Sequence, residues 1–234
     1  MTTIQIASDL HIEYTHNKVP DPCDYIDPIA DVLVLAGDIG SLYKLEQLRG
    51  FLDQIAKFFQ AVLYIPGNHE FYTIPSITPI SYTALESRLF SLDKNIKNLY
   101  ILNKSSVRIC NTCIVGCTLW TRPTCAVPPF IVRINGLNTR GYIDKHEKDL
   151  HYIKKMIKYC KKKGYEMVVI THYPPSLRVL NGIKKKKAFM SLYATDLDEL
   201  LTKDNMNIWI CGHTHKNFDF NIDGCRVVSN QKGK

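Results

Sequence analysis

Five times in this chain a short apolar, β-branched run ends in side chains able to hold a metal ion. Thr3-Ile-Gln-Ile-Ala-Ser leads into Asp9-Leu-His11, and Asp31-Val-Leu-Val-Leu-Ala leads into Gly37-Asp38. Ala61-Val-Leu-Tyr-Ile-Pro precedes Gly67-Asn68-His69-Glu70. Met167-Val-Val-Ile-Thr precedes His172, and Asn207-Ile-Trp-Ile-Cys precedes Gly212-His213-Thr214-His215. Continuous apolar runs of this length read as strands buried on both faces. In α/β folds ligands bind beyond the carboxyl ends of such strands, so five ends can converge on one site. Five of the eight histidines, His11, His69, His172, His213 and His215, fall in these blocks.

Strands are expected at 3–7, 31–36, 61–65, 99–102, 107–110, 112–119, 167–170, 207–211, 218–221 and 226–229. Helices are expected at 42–59, 82–94, 145–163 and 195–203; in the first, Leu45, Leu48, Leu52, Ile55 and Phe59 recur at helical spacing. The order implies an α/β sandwich with helices covering mixed sheets. Residues 121–142 and 174–187 lack periodicity, and loops of that length usually serve function.

The length, 234 residues with 45% apolar side chains, suits a globular chain read here as a single domain over 1–234. No apolar run suits a membrane span, and the N-terminus lacks the basic and apolar regions of a signal peptide. A cytoplasmic protein with no membrane partner is therefore expected. Cysteines at 110, 113 and 117 have spacing that zinc could use, yet Cys113-Ile-Val-Gly-Cys117 reads as a buried strand whose thiols pack as small hydrophobes. The formal charge is +8, with the excess confined to residues 145–234. That asymmetry suits an anionic partner, and Lys184-Lys185-Lys186-Lys187 is a candidate for recruiting one, against the plainer reading of a solvated face.

Extended residues i and i+2 point to the same side, so Asp9 with His11, and His213 with His215, can each address one cavity. Asp, Asn and His form an N/O donor set that suits Mn, Fe, Zn, Co or Ni better than calcium. The seven side chains Asp9, His11, Asp38, Asn68, His172, His213 and His215 exceed one tetrahedral ion. They suit two divalent ions about 3.5–4 Å apart that share a carboxylate, an arrangement that hydrolyses phosphoesters.

These blocks resemble the calcineurin-like metallophosphoesterase superfamily, in the right order over nearly the whole chain. The resemblance implies a four-layer α-β-β-α sandwich of two mixed sheets flanked by helices. It places Asp9, His11 and His215 on one metal, Asn68, His172 and His213 on the other, and Asp38 between them as a bridge. It also makes His69 the catalytic histidine, beside the metals without binding them. The expected chemistry is hydrolysis of a phosphodiester or phosphomonoester by a hydroxide shared by two metals. His69 serves as general acid to the leaving group, since imidazole titrates near neutral pH. Glu70 reads as a hydrogen-bonding support rather than a ligand.

The Gly37-Asp38-Ile39-Gly40-Ser41 stretch lacks the Asp-Arg pair of the family's protein Ser/Thr phosphatases, so a phosphoprotein substrate is disfavoured. Thr118-Leu119-Trp120 and the Ser229–Gly233 ending resemble small bacterial and viral relatives, although Asn138 is followed by Thr139 where those relatives often carry Asp. A nucleotide or a nucleic acid remains among the candidate substrates, the latter making the chain a metal-dependent nuclease. A non-catalytic scaffold, like the retromer subunit that resembles this superfamily, is opposed by the retained His69.

Overall fold

The computed structural model describes residues 2–15, 18–182 and 187–232, with the side chains of 187 and 188 excepted. Ten strands form two sheets. The smaller joins β1 (Ile4–Ala7), β2 (Val32–Ala36), β3 (Ala61–Ile65) and β4 (Leu99–Ile101), each pair parallel. The larger runs in the order β5 (Ser105–Ile109), β6 (Thr112–Cys117), β7 (Glu166–Thr171), β8 (Ile208–Ile210), β10 (Cys225–Ser229) and β9 (Phe218–Ile222). Its central pairs are parallel, while β5 and β9 lie antiparallel at the edges and supply the mixing.

Strand alternation explains the layering. In β2, Leu33 and Leu35 face one way and join the cluster with Leu48, Phe51, Leu52 and Ile55 of α1 (Leu45–Ala56) and Leu85 and Leu89 of α2 (Tyr82–Leu89). Val32, Val34 and Ala36 face the other way and meet Val168, Ile170 and Ile210 of the larger sheet. On that sheet's far side, Met167 and Val169 pack against Ile153, Met156 and Ile157 of α3 (Thr139–Lys163). Helix, sheet, sheet and helix therefore stack as expected, and each apolar side chain so buried contributes about 1.5–3 kcal/mol.

All ten expected strands form, whereas the helices differ at their ends. Residues 42–44 wind as a 3-10 turn before α1, because Lys44 leaves helical geometry at φ −108°, ψ 54°. The helix α3 starts six residues early, at Thr139, where the Asn138 side chain accepts from the Gly141 N–H at 2.9 Å. The helix expected over 195–203 reduces to the turn Asp198–Leu200. There the Thr195 and Leu197 N–H groups donate to the Pro174 and Pro175 carbonyls, tying that chain back to the preceding loop. A short helix, α4 (Lys187–Met190), appears instead. The lysine run 184–187 lies outside the described residues, apart from the Lys187 backbone. Cys113 and Cys117 are buried in the core, and none of the candidate metal-holding groups among the described residues includes a cysteine. No helix among the described residues is long and apolar enough to cross a membrane.

Candidate metal centre

The five blocks sit just beyond the ends of β1, β2, β3, β7 and β8 and are stitched together by backbone. The Asp9 and His11 N–H groups donate to the Gly37 and Asp38 carbonyls at 3.0 Å, and the Gly212 N–H to the His172 carbonyl at 2.9 Å. The paired ligands converge by a route other than extended alternation. Asp9, His11, Asp38, His213 and His215 all lie in the left-handed region, with φ between 51° and 73°. Such strain costs about 1–3 kcal/mol per residue and persists only where the surroundings impose it. Here it turns consecutive side chains inward at the strand ends.

Two sets of candidate donors result. In one, the His11 Nε2 lies 3.2 Å from the His215 Nε2, which is 3.5 Å from the Asp9 Oδ1. In the other, the His172 Nε2 lies 3.0 Å from the Asn68 Oδ1, 3.2 Å from the His213 Nδ1 and 3.3 Å from the Asp38 Oδ2. The same Asp38 oxygen is 3.9 Å from the His11 Nε2, so it stands between the sets. Two nitrogens each about 2.0–2.1 Å from one tetrahedral ion stand roughly 3.3 Å apart. The observed spacings match such an edge, and the donor set is of the kind that could hold divalent ions.

The ring orientations agree. His172 donates through Nδ1 to the Ala36 carbonyl at 2.9 Å and His11 through Nδ1 to the Glu13 carboxylate at 3.1 Å, so each turns Nε2 toward its set. His69, whose ring meets His11 edge-on, places its own Nδ1 3.3 Å from the same Glu13 oxygen. Its N–H donates to the Asp38 Oδ1 at 2.8 Å.

Burial and mutual charge act on these groups in opposite directions, and the Asp38 charge holds His172 up at about 9 against its own burial. Burial raises Asp38, but the charges of His172, His69 and His11 outweigh it and hold the carboxyl well below its usual range. Burial lowers His213, with His172 adding to the effect, so that ring stays neutral. Burial lifts Asp9 to about 6 despite the opposing charge of His172.

Three supports surround the ligands. Glu70, fully buried, accepts from the Asp38, Ile39 and Gly67 N–H groups at 2.8–3.0 Å and from the Tyr64 hydroxyl at 2.7 Å. It clamps the Gly37 and Gly67 loops together, the supporting role expected of it. Burial and the Asp38 charge push its carboxyl up to about 7, and those donors pull it back. Glu13 and Gln231 escaped the sequence reading. The Gln231 Oε1 accepts from the His215 N–H at 2.5 Å, and its Nε2 donates to the Thr214 hydroxyl at 3.0 Å, fixing the last ligand turn. The only signals were the i+2 spacing of Glu13 from His11 and the Ser-Asn-Gln ending.

Close approach is also built in at Gly212, where an added Cβ would meet the Asp9 Oδ2 and the Ser8 Oγ at 2.7 Å. Gly212→Ala should therefore displace Asp9 and weaken metal binding about 10–100-fold, the range seen for loss of a supporting contact. Metal titration by calorimetry checks it; unchanged affinity would remove Gly212 from the site's design.

A cavity of about 1080 Å³ opens above the ligands, walled by Tyr14, Tyr25, Tyr72, Tyr173, Phe189 and Tyr193 among others. Part of the wall, Ile131 and Val132, comes from the irregular segment before α3. The segment is anchored by the Thr73 N–H donating to the Arg133 carbonyl at 2.7 Å, while Asp149 and His146 of α3 hold Trp120 at its start.

The family model for calcineurin-like phosphoesterases matches residues 2–217, and the chain belongs to that family, whose members use divalent metals. Over its whole length the chain is 23% identical to an uncharacterized protein of Acanthamoeba polyphaga mimivirus, covering 91% of that protein. It is 34% identical over 71 residues to the [acyl-carrier-protein] phosphodiesterase PptH of Mycobacterium tuberculosis, or 30% of this chain and 21% of that one. The crystal structure of that phosphopantetheinyl hydrolase superposes with a TM-score of 0.71 at 18% identity, covering 99% of this chain and 89% of that one. That likeness confirms the sandwich fold.

Proposed function

We propose that the chain is a phosphoric ester hydrolase working with two divalent ions, and that phosphodiesters are its preferred substrates. The observation that carries this reading is Asp38, one carboxylate standing between two groups of candidate donors with His69 alongside. Asp9, His11 and His215 would hold one ion, and Asn68, His172 and His213 the other. Two ions there supply Lewis acidity at the phosphoryl oxygens and an acidified water as nucleophile. His69 donates through Nδ1 to Glu13, which leaves Nε2 to deliver a proton to the departing oxygen. The preference for diesters draws on the activity named for PptH. The ring-lined cavity supports a small ester over a polynucleotide, and residues 1–234 act as one domain.

Protein stripped with a chelator should lose hydrolysis of a phosphoester panel spanning mono- and diesters, nucleotides and short oligonucleotides. Reloading with Mn, Fe, Zn, Co or Ni should restore it as occupancy approaches two ions per chain. Activity that survives chelation, or silence toward every ester with every metal, overturns the proposal.

A further inference from the structure

A smaller cavity of about 220 Å³ adjoins the large one. Both are lined by Tyr14, His69 and Tyr72, so the smaller lies on the His69 side of the ligand cluster. Its wall carries two cations, Lys44 and Arg133. The Lys44 ammonium donates to the Glu13 carbonyl at 2.6 Å, which leaves two of its three donors unused by that contact. The Arg133 guanidinium lies 5.8 Å from the Tyr72 ring centroid, and Tyr72 stacks on His69 with centroids 4.5 Å apart. Neither cation makes an ion pair among the described residues. The one carboxylate in this wall, Glu13, accepts through its Oε1 from both His11 and His69.

A general acid must reach the leaving oxygen, so the leaving group departs on the His69 side. We propose that the smaller cavity is the leaving-group subsite, and that Lys44 and Arg133 there bind an anionic group, a carboxylate or phosphate, carried by the leaving alcohol. This rests on the phosphoesterase reading above and adds to it a chemical class for one half of the substrate. The step balances simply. Water adds to phosphorus, the ester P–O bond breaks, and the proton supplied through His69 ends on the anionic alcohol. A fork-shaped guanidinium and a compact ammonium around one pocket are the pair that carboxylates and phosphates favour.

The test compares methyl phenyl phosphate with methyl 3-carboxyphenyl phosphate, which differ by one carboxylate on the departing phenol. Metal-loaded enzyme should favour the second by about 10-fold or more in kcat/KM, a factor that charge-assisted hydrogen bonds supply. Arg133→Met and Lys44→Met should bring that ratio toward one, Arg133→Lys should keep part of it, and Lys57→Met at the opposite end of α1 should keep all of it. Binding of the released phenol, 3-hydroxybenzoate, reads the pocket without turnover, and its Kd should rise about 10-fold in Arg133→Met. Equal kcat/KM for the two esters in the wild type, or a Kd unmoved by Arg133→Met, overturns the subsite. Absence of hydrolysis of both esters, with the Kd shift intact, instead overturns the phosphoesterase reading alone.

Discussion

Asp38→Ala should empty both halves of the metal centre and reduce phosphoester hydrolysis to background. Its Oδ2 lies 3.3 Å from the His172 Nε2 and 3.9 Å from the His11 Nε2, so each ligand set loses the same carboxylate. The loss should exceed the roughly 10–100-fold that follows removal of an outer supporting contact, because a shared ligand itself is gone. Elemental analysis should fall from about two ions per chain to fewer than one. Ions that bind only the folded chain raise its thermal stability, so the metal-dependent rise in Tm should also disappear. The Asp38 Oδ1 also accepts from the His69 backbone N–H at 2.8 Å, and the alanine variant loses that bond as well. Asp38→Asn keeps the shape and removes the charge, which separates the two effects. Full metal content together with full activity in both variants would remove Asp38 from the centre.

The parts legible in the sequence were those set by burial on both sides. Val32 to Ala36 and Met167 to Ile170 are apolar without interruption because one face meets a helix and the other meets the second sheet. Such runs have few alternatives to a central strand. Helix ends were less legible because local and distant contacts compete there. Leu197, Leu200 and Leu201 carry a helical spacing, yet the preceding backbone is claimed by the Pro174 and Pro175 carbonyls. The start of α3 was hidden because residues 121–142 lack periodicity, although Asn138 offered the cap that begins it. In the site, the ligands were legible as residue types at strand ends, but not their geometry. Left-handed backbone at Asp9, His11, His213 and His215 depends on neighbours that the spacing does not show. Glu13 is 56 residues from His69 in sequence and Gln231 is 16 from His215, so their roles arise only on folding.

His69→Ala should keep both metals and lose about 10²–10⁴-fold in kcat for esters with poor leaving groups, the range for a positioned general acid. The geometry sharpens that expectation because His69 also falls within 4.8 Å of ligand atoms of His11 and Asp38, as a metal ligand would. Its contacts fix the ring for either role, and metal content after the substitution separates the two. The Nδ1 is engaged by Glu13 and the backbone N–H by Asp38, while Tyr72 stacks on the ring at 4.5 Å and fixes its plane. A ring held on three sides delivers its remaining nitrogen to one place. A 4-nitrophenolate leaving group departs without much help from a proton, so its ester should suffer far less than an alkyl ester. The slope of log kcat against leaving-group pKa should therefore steepen in the variant. Loss of metal on elemental analysis would instead make His69 a ligand. An equal loss across all leaving groups, with metal retained, would make it a residue that positions substrate and leave the proton donor to be sought elsewhere in the cavity wall.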